Sequence, residues 1–197
     1  MNDCIFSAHC VEDHCDEACP IYAETSYLLE RNGININSPV FQSNPKQIAT
    51  TLNTLDNYLG KFRVVTSKNT VNTSDLITYC AICKNWRGSQ LHCTVYNLKY
   101  NKYWKQTTQG WGKNDADADE LNYMKIWSST AKVLIISGID YINFGNYESA
   151  ELLSIIQARQ NPEYTTILVS PPLTELVGKD TRFEQLKRLM KDGGAKS

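Results

Sequence analysis

Two short runs, Lys132-Val-Leu-Ile-Ile-Ser137 and Thr165-Thr-Ile-Leu-Val-Ser170, constrain the fold more than any other feature of this chain. Their apolar and β-branched residues follow one another without the polar alternation of a strand that has one face in water. A strand of that composition must be covered on both faces, which points to the centre of a parallel sheet between helical layers. Neither run approaches the ~20 apolar residues that a bilayer crossing requires. Around them, strand-like and helix-like segments take turns. Phe62-Arg-Val-Val-Thr66 and Leu91 to Asn97 are predicted strands. Thr73 to Trp86 (with Thr73 or Ser74 as N-cap), Tyr147 to Gln160 and Arg182 to Lys191 are predicted helices. The prolines Pro171 and Pro172 stop the last strand. Two helices precede this alternation: Ile21 to Arg31, ended by Asn32-Gly33, and Pro45 to Leu59, ended by Gly60. The predicted fold class is therefore α/β, a parallel sheet in three layers.

Charge narrows the function classes. Twenty Lys and Arg face 21 Asp and Glu, a net charge of -1, so the chain is no basic nucleic-acid coat. With 42% hydrophobic residues it is no disordered tail either. The opening Met-Asn-Asp-Cys carries no basic stretch leading into an apolar one, so a soluble cytoplasmic protein without membrane contact is expected. Residues 1–34 are expected to form a Cys-rich module with its helix, 35–45 a linker containing Pro39, 46–192 the α/β domain, and 193–197 a tail.

Four of the seven cysteines, Cys4, Cys10, Cys15 and Cys19, fall within the first nineteen residues, with His9 and His14 between them. In a reducing compartment such crowding favours thiolates over disulfides. Four thiolates on a segment too short for its own core suit a tetrahedral Zn²⁺, whose binding would supply the folding energy. The C-x5-C-x4-C-x3-C spacing lacks the C-x2-C pair of the best-attested zinc fingers. His9 or His14 as a replacement ligand, an iron–sulfur cluster before Pro20, and a metal-free tail therefore stay open. Glu12, Asp13, Asp16 and Glu17 make this segment acidic, which favours a protein partner over phosphates. Cys80 and Cys83 form a C-x-x-C, but they share a helical face with Leu76 and Ile77, where small thiols serve as core filler.

Chemistry in doubly wound α/β folds sits at the carboxyl ends of the strands. Beyond the first strand lies Ser67-Lys-Asn-Thr-Val-Asn-Thr-Ser74, and beyond the third lies Gly138-Ile139-Asp140. An acid just past an apolar strand is how P-loop proteins hold Mg²⁺. The runs Lys132 to Tyr141 and Thr165 to Leu176, with Ala158-Arg159-Gln160 between them, resemble AAA+ ATPases of the bacterial replicative-helicase-loader type, over about residues 46–190. The Cys-rich head is similar to the small zinc module some such loaders carry. The resemblance implies a P-loop NTPase-like three-layer domain, work in DNA replication or mobile-element biology, and a helicase, an active AAA+ subunit or DNA as partner.

The departures from that family decide the expected activity. Its phosphate loop is rich in glycine and presents a Lys before Ser/Thr, so that backbone N–H groups and one ammonium neutralise the phosphates. The segment Ser67 to Ser74 has no glycine and no Lys before Thr73 or Ser74. Candidate nucleotide contacts reduce to Lys68, Thr73, Ser74, Asp140 and Ser170, the last at the position of a γ-phosphate sensor. ATP binding is possible but unfavoured, and no catalytic residue is assigned. Asp140 reads better as a turn cap than as a metal ligand, and Arg159 or Arg182 as solvated arginines rather than an arginine finger. Finally, Tyr96 to Lys113 interleaves aromatic and basic residues. Lys99, Tyr100, Lys102, Tyr103, Trp104 and Lys105 present either a single-strand nucleic-acid path or a half-buried helix face with lysines outward. The acidic run Asp115 to Glu120 caps the helix after it.

Overall fold

The computed structural model describes residues 20–34, 45–86, 94–109 and 115–193. Cys4, Cys10, Cys15 and Cys19, with the Zn²⁺ expected on them, residues 35–44 of the expected linker, and residues 194–197 of the tail lie outside the described residues. In chain order the elements are α1 (Pro20–Arg31), α2 (Pro45–Leu55) with a 3-10 turn Asp56–Tyr58, β1 (Phe62–Thr66), α3 (Thr70–Trp86), β2 (Val95–Lys99), α4 (Tyr100–Gln109), α5 (Asp115–Thr130), β3 (Val133–Ser137), α6 (Asn146–Ala158), β4 (Thr165–Ser170) and α7 (Thr181–Gly193).

All strand pairs are parallel, in the order β1-β4-β3-β2. The two constraining runs are the two inner strands, and every residue of β3 and β4 is buried. Their side chains divide by parity between two cores. Leu134, Ile136 and Leu168 pack with Tyr100, Met124, Leu152, Phe183 and Leu186 from α4 to α7. Ile135, Ile167 and Val169 pack with Ile48 and Leu52 of α2 and Ile77, Cys80 and Cys83 of α3. The three-layer α/β expectation holds. Cys80 and Cys83 are fully buried in the second core, as filler.

Several elements differ from expectation. Strand β2, expected over Leu91 to Asn97, is Val95–Lys99, and α2, expected to reach Leu59, ends at Leu55. The helix α3 starts at Thr70, three residues before Thr73, because Asn69 is its cap: Asn69 Oδ1 accepts the Asn72 N–H at 3.0 Å. The helix α1, expected to belong with the cysteines, is packed on the sheet domain. Its Leu29, with Ile34 just beyond it, buries against Ile82 of α3, and the Arg31 guanidinium lies 3.7 Å from the centre of the Trp127 ring of α5. These two contacts straddle the outer edge of β2. Between them Asn32 closes that edge, its Oδ1 accepting the Asn97 N–H at 2.7 Å and its Nδ2 donating to Val95 O at 3.4 Å.

Candidate functional site

The carboxyl ends of β1, β3 and β4 converge on the link between β1 and α3. Only Ser67, Lys68 and Asn69 connect the two elements. The Ser67 N–H donates to Ser170 O at 2.9 Å, which continues the β1–β4 ladder one step past the strands. The Ser67 hydroxyl then organises the turn. It accepts the Asn69 N–H at 3.1 Å and the Thr73 hydroxyl at 2.7 Å. With Asn72 and Thr73 N–H both held by Asn69, through its side chain and its carbonyl, the start of α3 is largely occupied by its own chain.

Opposite this turn, Gly138 bends the chain leaving β3. Its φ of 75° is left-handed, a conformation glycine adopts freely, and a Cβ there would sit 2.6 Å from Asn101 Oδ1. The bend directs the short 3-10 turn Ile139–Tyr141 back across the strand ends and brings Asp140 to α3. The buried Thr70 hydroxyl donates to Asp140 Oδ2 at 3.0 Å. Thr70 is the residue that sequence reasoning missed: a hydroxyl in the first turn of α3, paired with the acid beyond β3. An N-cap assignment at Asn69 would have revealed it.

The other sequence candidates do not converge on this pair. Lys68 is exposed in the link, and Thr73 is engaged with Ser67. Ser74 is buried and donates to Val71 O, while the fully buried Ser170 donates to Pro171 O at 2.7 Å. Among the described residues no three His, Cys, Asp or Glu side chains gather where a metal ion could be held.

Arg159 is not a finger, nor is it solvated. It is 3% exposed and sits at the amino ends of β3 and β4, the opposite end of the sheet from Asp140. Its guanidinium donates to the carbonyls of Ser128, Ser129, Ala131 and Thr165 and to the Thr166 hydroxyl. Burial pushes its pKa down to about 10, which leaves it charged at neutral pH. Arg182 is exposed on the first turn of α7.

Of the stretch from Lys99 to Lys105, Lys99 ends β2, and Tyr100 to Lys105 form the half-buried helix face. Tyr100 is fully buried, with its hydroxyl donating to Glu148 O at 2.8 Å. Tyr103 is 2% exposed and donates to Glu151 Oε1 at 2.6 Å. Trp104 is half-buried and stacks on Tyr100. Tyr100 and Tyr103, so enclosed, offer no face to a base. Lys102 pairs with Glu120, and Lys105 points into solvent. Lys99 Nζ donates to Gly33 O at 3.4 Å and lies close enough to Asp75 to oppose the rise that burial imposes on that carboxyl.

The buried phenols make a prediction of their own. Burial raises Tyr96 to about 12, and raises Tyr100 and Tyr103 further, helped by the carboxylate of Glu151. The folded chain therefore holds protons that the unfolded chain releases near pH 10. Stability is complete below that value and falls as pH rises toward the folded pKa values, by about 1.4 kcal/mol per pH unit for each phenol. Phenolate absorbance followed together with circular dichroism should show these tyrosines ionising in step with unfolding. Phenolate absorbance accounting for all eleven tyrosines while the fold is intact would contradict their burial.

Comparison of the chain with protein families, with curated proteins and with solved structures finds no match. No described helix is long and apolar enough to cross a membrane.

Proposed function

We propose that the chain is a non-hydrolysing, AAA+-like accessory protein of DNA replication or mobile-element biology, one that works by assembly. The observation that carries this reading is the three-residue link between β1 and α3. A phosphate loop needs a longer glycine-bearing span, whose N–H groups wrap the phosphates, and a lysine at its end. Here the span is short, its hydrogen bonds close on Ser67 and Asn69, and Asn69 stands immediately before Thr70 where the lysine would be. The residues present do not fit a nucleotide triphosphate.

A protein partner, a helicase or an active AAA+ subunit, is favoured by what borders the link. Val71 and Tyr141 are exposed beside Thr70 and Asp140, and Tyr147 and Val177 are exposed on the segments that follow β3 and β4. An apolar rim of this kind suits protein contact better than phosphate. DNA as a partner loses the aromatic path proposed for it, because Tyr100 and Tyr103 are buried. The acidic Cys-rich head is assigned to the same docking role, with Zn²⁺ held by Cys4, Cys10, Cys15 and Cys19.

One observation favours a second reading, an active loader with an atypical phosphate loop. A hydroxyl in the first helical turn paired with an acid past the third strand, as Thr70 is with Asp140, is the pair that shares Mg²⁺ in P-loop proteins. Calorimetry with Mg²⁺ and ATP or ADP, a phosphate-release assay and metal analysis on the full chain decide between them. One zinc per chain, no nucleotide heat and background turnover are expected. Turnover above background that Asp140→Ala abolishes would establish the loader. Zinc-free protein with an unchanged fold would remove the metal from the head.

A further inference from the structure

The two edges of the sheet are treated differently. In β4, Thr165 N–H bonds toward β3 and Thr166 N–H toward β1, where it meets Lys61 O. Ser67 N–H also turns toward β4. Because successive residues of a strand point their backbone groups to opposite sides, Lys61, Arg63, Val65 and Ser67 face β4, and Phe62, Val64 and Thr66 face outward. The same parity at the other edge turns Val95 and Asn97 of β2 outward, and there Asn32 takes up both the Val95 carbonyl and the Asn97 N–H. Among the described residues no such side chain meets β1 and no strand lies beyond it. Its burial agrees: only Val64 is buried, while β3 and β4 are buried throughout. The helix α7 reaches β1 from one face. Its Gly193 lies against the Phe62 ring and the Val64 side chain.

Open edges are templates for strand addition unless blunted by short length, bulges, proline, charge or cover. The sequence around β1 carries no proline. Its device is charge of one sign, which repels a second cationic edge but leaves an acidic strand able to add. Lys61, Arg63 and Lys68 bracket the edge, no acidic residue occurs from Lys61 to Ser74, and none of the three cations forms an ion pair among the described residues. Pairing β1 with a second copy of itself would bring three cations from each chain together. We infer that β1 is a docking edge for an extended, acidic segment of a partner protein, which adds to the sheet as a fifth strand beside Phe62, Val64 and Thr66. Main-chain hydrogen bonds would supply affinity and the flanking cations would select the charge of the partner. This site is separate from the Thr70–Asp140 end and does not depend on whether nucleotide binds there.

The test uses the full chain and two eight-residue peptides, one alternating valine with glutamate and one alternating valine with lysine. Binding is followed by amide chemical shifts and hydrogen exchange. The acidic peptide is expected to shift and protect the amides of Phe62, Val64 and Thr66, while the basic peptide leaves them unchanged. Arg63→Glu should weaken the acidic peptide by about tenfold or more. Thr66→Pro removes one outward N–H from an exposed edge position and should abolish protection at the remaining two. Absence of binding, equal binding of both peptides, or shifts confined to other elements would overturn the proposal. So would amides at Phe62, Val64 and Thr66 already as protected in the free chain as those of β4, or a dimer formed through β1.

Discussion

Replacing Arg159 by methionine should cost about 3–5 kcal/mol of stability, a third or more of what a domain of this size commonly holds. Methionine retains most of the volume and removes the charge. The loss comes from what the guanidinium leaves behind. The carbonyls of Ser128 and Ser129 belong to the C-terminal turn of α5 and that of Ala131 follows it, where the last carbonyls of a helix lack partners in the helix itself. They also form the negative end of the helix dipole, so a buried cation is the favoured cap. The same fork holds Thr165 O and the Thr166 hydroxyl, and it thereby ties α5 and the C-terminus of α6 to the start of β4. The Tyr164 ring, its centre 4.8 Å from the guanidinium carbon, covers the group. Without Arg159 several buried carbonyls lose their donors together, each a cost of about 1–3 kcal/mol if no water enters. Urea denaturation should show a lower midpoint with an unchanged slope. Arg159→Lys should recover only part of the loss, because a single ammonium cannot span the fork. A penalty below about 1 kcal/mol would mean that the fork is not holding these elements together.

The contrast between Arg159 and the strands shows what this sequence makes legible. The predicted bounds of β1 and β4 coincide with the observed ones, and β3 differs by one residue, because runs such as Val-Leu-Ile-Ile announce a doubly covered strand locally. Helix starts are less distinct. Asn69, Thr73 and Ser74 are all good caps, and nothing within the segment says which one the chain uses until Ser67 is seen joined to Ser170. The polar contacts are not local at all. Arg159 reaches carbonyls about thirty residues earlier in the chain, Thr70 is seventy residues from Asp140, and Asn32 is sixty-five from Asn97. A single polar residue carries no period, so its partner is set by strand order, and strand order is a property of the whole sheet. For the same reason an arginine near the end of a predicted surface helix reads as solvated in the sequence and proves to be a buried clamp. The lysine–aromatic stretch misleads in the opposite direction: its interleaving fits a binding strip, yet the aromatic positions Tyr100, Tyr103 and Trp104 are three and four residues apart on one helix face that meets the core.

Asn32→Asp is expected to be nearly as damaging at neutral pH and to recover in acid. The side chain keeps its shape and can still accept the Asn97 N–H. It loses the amide that donates to Leu28 O at 2.7 Å and to Val95 O at 3.4 Å, and it turns a charged oxygen toward both carbonyls. The position is 4% exposed, so water offers little relief. The disturbance would also travel inward. Asn97 donates to the Thr78 hydroxyl at 3.1 Å and accepts from Ser137 at 3.1 Å, so one buried chain of hydrogen bonds links α1, β2, β3 and α3. A loss of about 2–4 kcal/mol follows from one unsatisfied buried carbonyl and one uncompensated charge. The sign of the pH effect is fixed by the same geometry. The protonated acid can donate one hydrogen bond and carries no charge, so folding would raise its pKa above the unfolded value of about 3.9. The penalty should therefore shrink as pH falls toward that value and be complete once pH has risen through the folded pKa. Thermal midpoints of the wild-type chain and Asn32→Asp, compared from neutral pH down to about pH 4, measure it. A gap that stays constant across that range would mean that Asn32 fills space at the β2 edge without sealing it.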